Sequence, residues 1–430
     1  MLIIVMVACA AAGIMALNLI SSELAGRAGM SRSGRVLLSA GLGMGVIAVS
    51  LKVFIVGYLM EKTKDLHPEL HGIQASPAPQ LYSRHLESTF TGKWHALPAA
   101  APTPGGQPLR PELVALGQRL FNEKGLSTTG DVACSSCHKL EAGGGDDARV
   151  STGIDGLRGN RNTPTFLDAA FLSRLFWDGR AGSLEDQAGG PLTNPVEMGM
   201  PSLDAVEDTV RALPGYAGDF AKSFGEPQAI TTDNILHAIA SYERTAVSPD
   251  TAYDRFVRGD TTALSPKQIR GMALFAGLGC RTCHLDPTFS AAGKIRPAGV
   301  FKPFPIFSDN PYVRRYDLAS DRGAADAESK GAGLWRVPSL RNVAQTAPYF
   351  HNGSVATLEE AIRIMVVTQL RKSVVATTGN EQPAILWDAG RQTLTPYRPR
   401  VVSADDVEAL AAFLNSLSVD ASNTALSRSP

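Results

Sequence analysis

An all-α chain carrying two related helical units in tandem is predicted by three observations on this 430-residue sequence. The pentapeptide Cys-x-x-Cys-His occurs twice, at Cys134-Ser-Ser-Cys137-His138 and Cys280-Arg-Thr-Cys283-His284. Each copy follows a helix-patterned stretch with Gly-x-x-Leu-Phe, at Gly117 to Phe121 and Gly271 to Phe275. Few stretches alternate polar and apolar residues as strands do.

The motif spacing suits covalent haem: two thiols add to the porphyrin vinyl groups, and the next histidine serves as proximal iron ligand. A redox Cys-x-x-Cys needs no trailing histidine, and half of a zinc ribbon would not repeat His in this register. Two haem c groups are therefore expected, held by Cys134, Cys137 and His138 and by Cys280, Cys283 and His284. Lys+Arg and Asp+Glu are equal at 41 each, which gives no sign of nucleic acid or of a strongly acidic main partner.

From the N-terminus, Leu2 to Ile20 carries no charge and Val36 to Met60 carries only Lys52, so two transmembrane helices are expected within residues 1–60. Arg27, Arg32 and Arg35 between them place that loop in the cytoplasm, and the remainder in the periplasm of a bacterial inner membrane. Lys52 conflicts with a clean span unless it snorkels or faces a partner. Residues 61–109, rich in Pro, Ala and Gly, read as a periplasmic tether whose histidines carry no assigned role.

A first haem domain is expected over 110–250 and a second over 251–420. Pro111 opens a helix with Leu113, Leu116, Leu120 and Phe121 on one face, and Ser265 caps its counterpart. Asp233 to Tyr242 and Leu358 to Leu370 read as helices, and Ser403-Ala-Asp-Asp406 opens a last one through Leu417.

A His/Met iron is closed and suits electron transfer, whereas an iron with an empty sixth position can take up an oxidant. Past the membrane segments the methionines are Met198, Met200, Met272 and Met365. Met272 lies on the helix entering the second motif and suits the core, while Met198 and Met200 fall in a Gly/Pro-rich loop. Met365 is thus the best sixth ligand for the second haem.

The runs Phe176-Trp-Asp-Gly-Arg-Ala-Gly-Ser-Leu-Glu-Asp-Gln187, Gly190 to Met198, Arg161-Asn-Thr-Pro-Thr165 and Val337 to Ser354 closely resemble bacterial di-haem cytochrome c peroxidases. The resemblance spans about Pro111 to Leu417, apart from an apparent insertion at Arg371 to Val402. It implies two cytochrome c-like haem domains in tandem, the first peroxidatic and the second a high-potential electron entry site. It makes Trp177 the aromatic between the haems, Gln187 and Glu197 the polar pair above the reactive iron, and Met365 the sixth ligand of the second. It implies a calcium ion on oxygens of Asn162, Thr346 and Pro348, with His351 near the second haem but not a ligand. Hydrogen peroxide is the implied substrate and a homodimer the implied assembly; the sequence does not name the electron donor, for which the membrane anchor suits a membrane quinol chain and a small cytochrome or copper protein serves equally.

One position departs from the family pattern: Ile154 stands where many members place a distal histidine, and no histidine lies between His138 and His237. The first haem is accordingly expected to be five-coordinate or water-bound at rest. Glu197 would act as general acid/base on bound peroxide and Gln187 would orient it. Two rival functions remain. One is a relative of the di-haem enzyme that matures methylamine dehydrogenase by oxidising residues of a partner protein, which has Tyr where this chain has Met365. The other is a non-catalytic electron-transfer cytochrome.

Overall fold

The chain divides into two compact units, Met1–Leu81 and Tyr82–Pro430. The computed structural model describes residues 92–225, 229–325, 333–376, 387–399 and 401–419, all within the second unit.

Among the described residues the α-helices are α1 (Pro111–Phe121), α2 (Cys134–Cys137), α3 (Leu184–Thr193), α4 (Leu203–Ala212), α5 (Tyr216–Phe224), α6 (Thr232–Glu243), α7 (Ala252–Val257), α8 (Pro266–Gly277), α9 (Pro311–Arg315), α10 (Leu358–Gln369) and α11 (Ala404–Asn415). The expected helices form within a residue or two of their predicted bounds, because their end signals operate locally. Ser265 accepts from the Gln268 amide and Ser403 from the Asp406 amide, each in a capping box. Among the described residues, strands occur only as two-stranded ribbons. The longest pairs β1 (Phe301–Phe304) antiparallel to β2 (Gly333–Arg336), Phe301 opposite Arg336.

Two principal apolar clusters follow the chain order. One joins Leu113, Leu116, Leu120 and Phe121 of α1 to Ile235, Ala238, Ile239 and Tyr242 of α6. The other joins Met272, Leu274 and Phe275 of α8 to Val407, Leu410, Phe413 and Leu414 of α11. Met272 is fully buried, as expected, and Met198 and Met200 also belong to the first core.

The helix crossings repeat in detail. A Cβ on Gly117 would stand 1.9 Å from the Ala238 carbonyl oxygen, and one on Gly271 would stand 1.9 Å from that of Ala409. Each glycine admits the backbone of the crossing helix, which has no flexible end to move aside. Gly271→Ala is expected to cost about 1–3 kcal/mol or more by overpacking, read as a lower urea midpoint with unchanged m-value. An unchanged midpoint would show that the crossing can open freely.

One expectation needs correction. The longest described helices have 12 residues, a rise of about 18 Å at 1.5 Å per residue, against about 30 Å of hydrocarbon. Among the described residues no helix is long and apolar enough to cross a membrane, so the expected inner-membrane location is withdrawn. The segments 2–20 and 36–60 on which it rested lie outside the described residues. Within the stretch read as a tether, Trp94 and Leu97 are each 1% exposed. Trp94 packs edge-on to Tyr253 and Phe413 of the second core, which holds this part of the chain against the fold.

A buried polar network joins segments from both clusters. The Arg341 guanidinium, fully buried, pairs with Asp254 and with Asp168 at 3.3 Å, and donates to the Ser248 and Pro287 carbonyls at 2.6 and 3.1 Å. Asp168 accepts from the Ser248 amide at 2.8 Å and from Asn342 at 3.3 Å.

Candidate active site

At the first motif, α2 presents Cys134 and Cys137, and His138 follows at its C-cap. The His138 Nδ1 lies 3.0 Å from the Gly144 carbonyl oxygen, and its ring packs against Phe121 and Phe166. A carbonyl only accepts, so Nδ1 carries the proton and Nε2 keeps its lone pair for a metal. His284 repeats this, its Nδ1 lying 3.1 and 3.2 Å from the Phe289 and Pro338 carbonyls. Burial lowers both imidazoles, His284 to about 4, so they are neutral as iron ligation requires.

All four motif cysteines are free. Burial pushes the Cys134 and Cys280 thiols up to about 12, far from the lowered values of redox-active pairs. Paired free thiols, a neutral histidine with a free Nε2 and an apolar lining fit covalently held haem at each motif.

Around the second motif a cavity of about 480 Å³ is lined by Cys280, Cys283, His284 and Met365, a volume in the range of ligand pockets. Trp177, Asn162, Thr346, Pro348 and His351 line the same cavity. Met365 comes from α10, whose N-cap Thr357 fixes the helix start. The Trp177 indole donates to the Asn162 carbonyl oxygen at 2.8 Å and meets the His351 ring edge-on at 6.5 Å. His351 in turn stacks on Trp335 at 4.1 Å. Among the described residues no three His, Cys, Asp or Glu gather to hold a metal ion, so calcium at Asn162, Thr346 and Pro348 would rest on carbonyl, amide and hydroxyl oxygens.

The repeat extends into these site loops. Leu175 bridges Ala181 around Phe176 (φ 62°), and Tyr349 bridges Val355 around Phe350 (φ 68°), the second bridge lying 174 residues after the first. Ser183 caps α3 and Thr357 caps α10 at the same interval. This register aligns Trp177 with His351, Gln187 with Ala361, and Met365 with Pro191, a proline inside α3 that offers no donor.

Glu197 lies in the turn after α3. Its carboxylate accepts from Asn194 Nδ2 at 2.8 Å, while Asn194 Oδ1 accepts from the Val196 amide at 2.9 Å. Burial raises the Glu197 carboxyl above the ordinary range, with Arg180 and Asn194 pulling it back in part. The Glu197 backbone carbonyl accepts from the Ile154 amide at 3.1 Å, and Ile154, which stands where many family members place a histidine, is 7% exposed. Gln187 sits on α3, two turns before Asn194, and the hydrogen-bond partner of Glu197 is Asn194 rather than Gln187.

Sequence reasoning passed over Asn194, although Asn-Pro in a loop marks a turn whose side chain bonds the backbone. It also passed over Glu243, a buried carboxyl at the end of α6 that burial pushes up to about 8 and that lies close enough to Cys134 to raise its thiol further. No sequence signal distinguished Glu243 from a surface acid.

The sequence model of the family described as di-haem cytochrome c peroxidase matches residues 111–262. The chain is similar to cytochrome c551 peroxidase of Nitrosomonas europaea, 38% identical over 265 residues that cover 62% of this chain and 76% of the relative. Cytochrome c551 peroxidase of Pseudomonas aeruginosa is 34% identical over 348 residues, 80% of this chain and 89% of the relative. Among solved structures, a MauG-like protein associated with microbial copper homeostasis superposes with a TM-score of 0.59 at 30% identity, covering 75% of this chain and 95% of that one.

Proposed function

The chain belongs to the di-haem cytochrome c peroxidase family and is an oxidoreductase acting on peroxide, and we propose that peroxide is reduced at the first motif with electrons that enter at the second. Residues 110–250 are then the peroxidatic domain and 251–420 the electron-transfer domain. The supporting observation is that Met365 shares a cavity with His284, whereas Pro191 stands at the matching place in the repeat that carries the first motif. Haem held at the motifs supplies iron that stores an electron when closed by sulfur and takes up peroxide when one position is open.

Reduction of hydrogen peroxide consumes two electrons and two protons and releases two waters. Glu197 moves a proton from the inner to the outer peroxide oxygen, using the carboxylate oxygen that Asn194 leaves free. Gln187 orients peroxide by hydrogen bonding. The Trp177 ring, beside His351 on the wall of the second cavity, is the relay between the two centres. A small cytochrome or copper protein is the electron donor. Oxygens of Asn162, Thr346 and Pro348 would hold a calcium ion that ties together the loops around Trp177, and a chelator is then expected to slow transfer between the haems.

The test is EPR of the oxidised protein with carbon monoxide binding to the reduced protein. The expected results are a low-spin His/Met signal from the second haem, an open first haem, and one carbon monoxide per chain. Met365→Ala is expected to open the second iron and raise that count to two. Two protein ligands on both irons in every redox state would defeat the proposal.

A further inference from the structure

The second motif differs from the first in what surrounds it. Arg281 occupies the position between its cysteines where the first motif has Ser135, and it is 0% exposed. Its guanidinium lies over the Trp94 ring at 3.8 Å. It donates to the Gly92 and Lys93 carbonyls at 3.0 and 2.8 Å and to Asp286 Oδ1 at 2.7 Å. Asp286 is itself fully buried, and its Oδ2 accepts from the His95 amide at 2.8 Å, from His95 Nδ1 at 3.0 Å and from Arg296 at 3.1 Å. The segment is tied down further along: the Tyr253 hydroxyl donates to the His95 carbonyl at 2.9 Å, and the Leu97 amide donates to Asp254 at 2.8 Å.

We propose that residues 92–97 clasp the second Cys-x-x-Cys-His loop, and that Arg281 and Arg296, gathered around Asp286, are positioning residues that raise the reduction potential of the second haem. The inference rests on the reading that this motif carries the electron-entry haem. One carboxylate faces two guanidiniums, so the cluster leaves an excess of positive charge beside the attachment loop. Ferric haem carries one more positive charge than ferrous, and a nearby cation in a low-dielectric setting therefore favours the reduced state. Arg281 cannot swing away, since its stack on Trp94 and the two backbone carbonyls fix it. Trp94 thus serves the charge indirectly, by holding the group that bears it.

The experiment is spectroelectrochemical titration of the full-length holoprotein, with covalent haem counted by intact mass. Arg296→Gln, at a side chain 18% exposed, and Arg281→Gln are expected to shift the second haem's reduction equilibrium toward the ferric form by about tenfold, about 59 mV for one electron, with the first haem unmoved. Asp286→Asn should shift it the other way, and Arg281→Lys should hold the wild-type potential. Loosening of the loop alone would move all the variants in one direction, so a common sign, or no shift, overturns the proposal. If Arg281→Gln loads poorly, Arg296→Gln and Asp286→Asn still decide the sign. Trp94→Ala should speed amide exchange in 280–286 and not in 134–138; equal protection in both would remove the clasp. A wild-type chain carrying a single haem adduct would sink the two-haem reading itself.

Discussion

Glu197→Gln is expected to leave both haems attached and spectrally intact while peroxide turnover falls by about 10²–10⁴-fold. The substitution is nearly isosteric, and its amide oxygen can still accept from Asn194 Nδ2, so the turn that Asn194 holds survives. What disappears is the capacity to take a proton from one peroxide oxygen and return it to the other. Burial raises the Glu197 carboxyl, and Arg180 and Asn194 oppose that rise only in part. Its proton-accepting form is therefore depleted on acidification at a pH above the ordinary glutamate value of about 4.3. Wild-type turnover should show that acid limb, and the variant should lack it. Stopped-flow peroxide consumption across pH reads both effects, and unchanged turnover would take Glu197 out of the mechanism.

Arg341→Met is expected to destabilise the fold by about 3–5 kcal/mol at neutral pH, the cost of removing one partner from a buried ion pair. Methionine approximates the volume of the side chain, so the loss is electrostatic: Asp168 and Asp254 are left facing each other without their cation. Burial already raises Asp168 above the usual carboxylate range even though Arg341 and Ser248 pull it down. A carboxyl raised in the folded state binds its proton more readily there than when unfolded, so the stability it contributes is present at low pH and lost as pH rises. Without Arg341 the rise is greater. The deficit against wild type should thus be full near pH 7 and shrink on acidification toward the ordinary aspartate value of about 3.9. Urea unfolding at both ends of that range tests it, and an equal deficit at both would show that Arg341 acts by packing alone.

Much of the site was legible because its signals are local. Two thiols and a histidine within five residues define an attachment chemistry wherever the chain places them; Ser265, Thr357 and Ser403 mark helix starts by accepting from amides three positions on, and Pro111 does so by its fixed φ. Buried Met272 followed from its place on an apolar helix face. Trp94 was less accessible: in sequence it belongs to a Pro/Ala-rich stretch, and only its stack on Arg281, far along the chain, shows that it is core. Asn194 was missed for a different reason, since its turn was readable but its grip on Glu197 depends on how that turn closes.

By itself the sequence determined the covalent chemistry, the repeat and the family, since each is written in contiguous residues. The tertiary structure decided which residues share a centre. Met365 lines the cavity of His284, while Pro191, at the corresponding turn of the corresponding helix, leaves the first repeat without that sulfur. It also decided that residues 92–97 close on Arg281 and Asp286, far along the chain. Such pairings join residues far apart in the chain, and they follow from how helices cross and loops return, which no short window of sequence records.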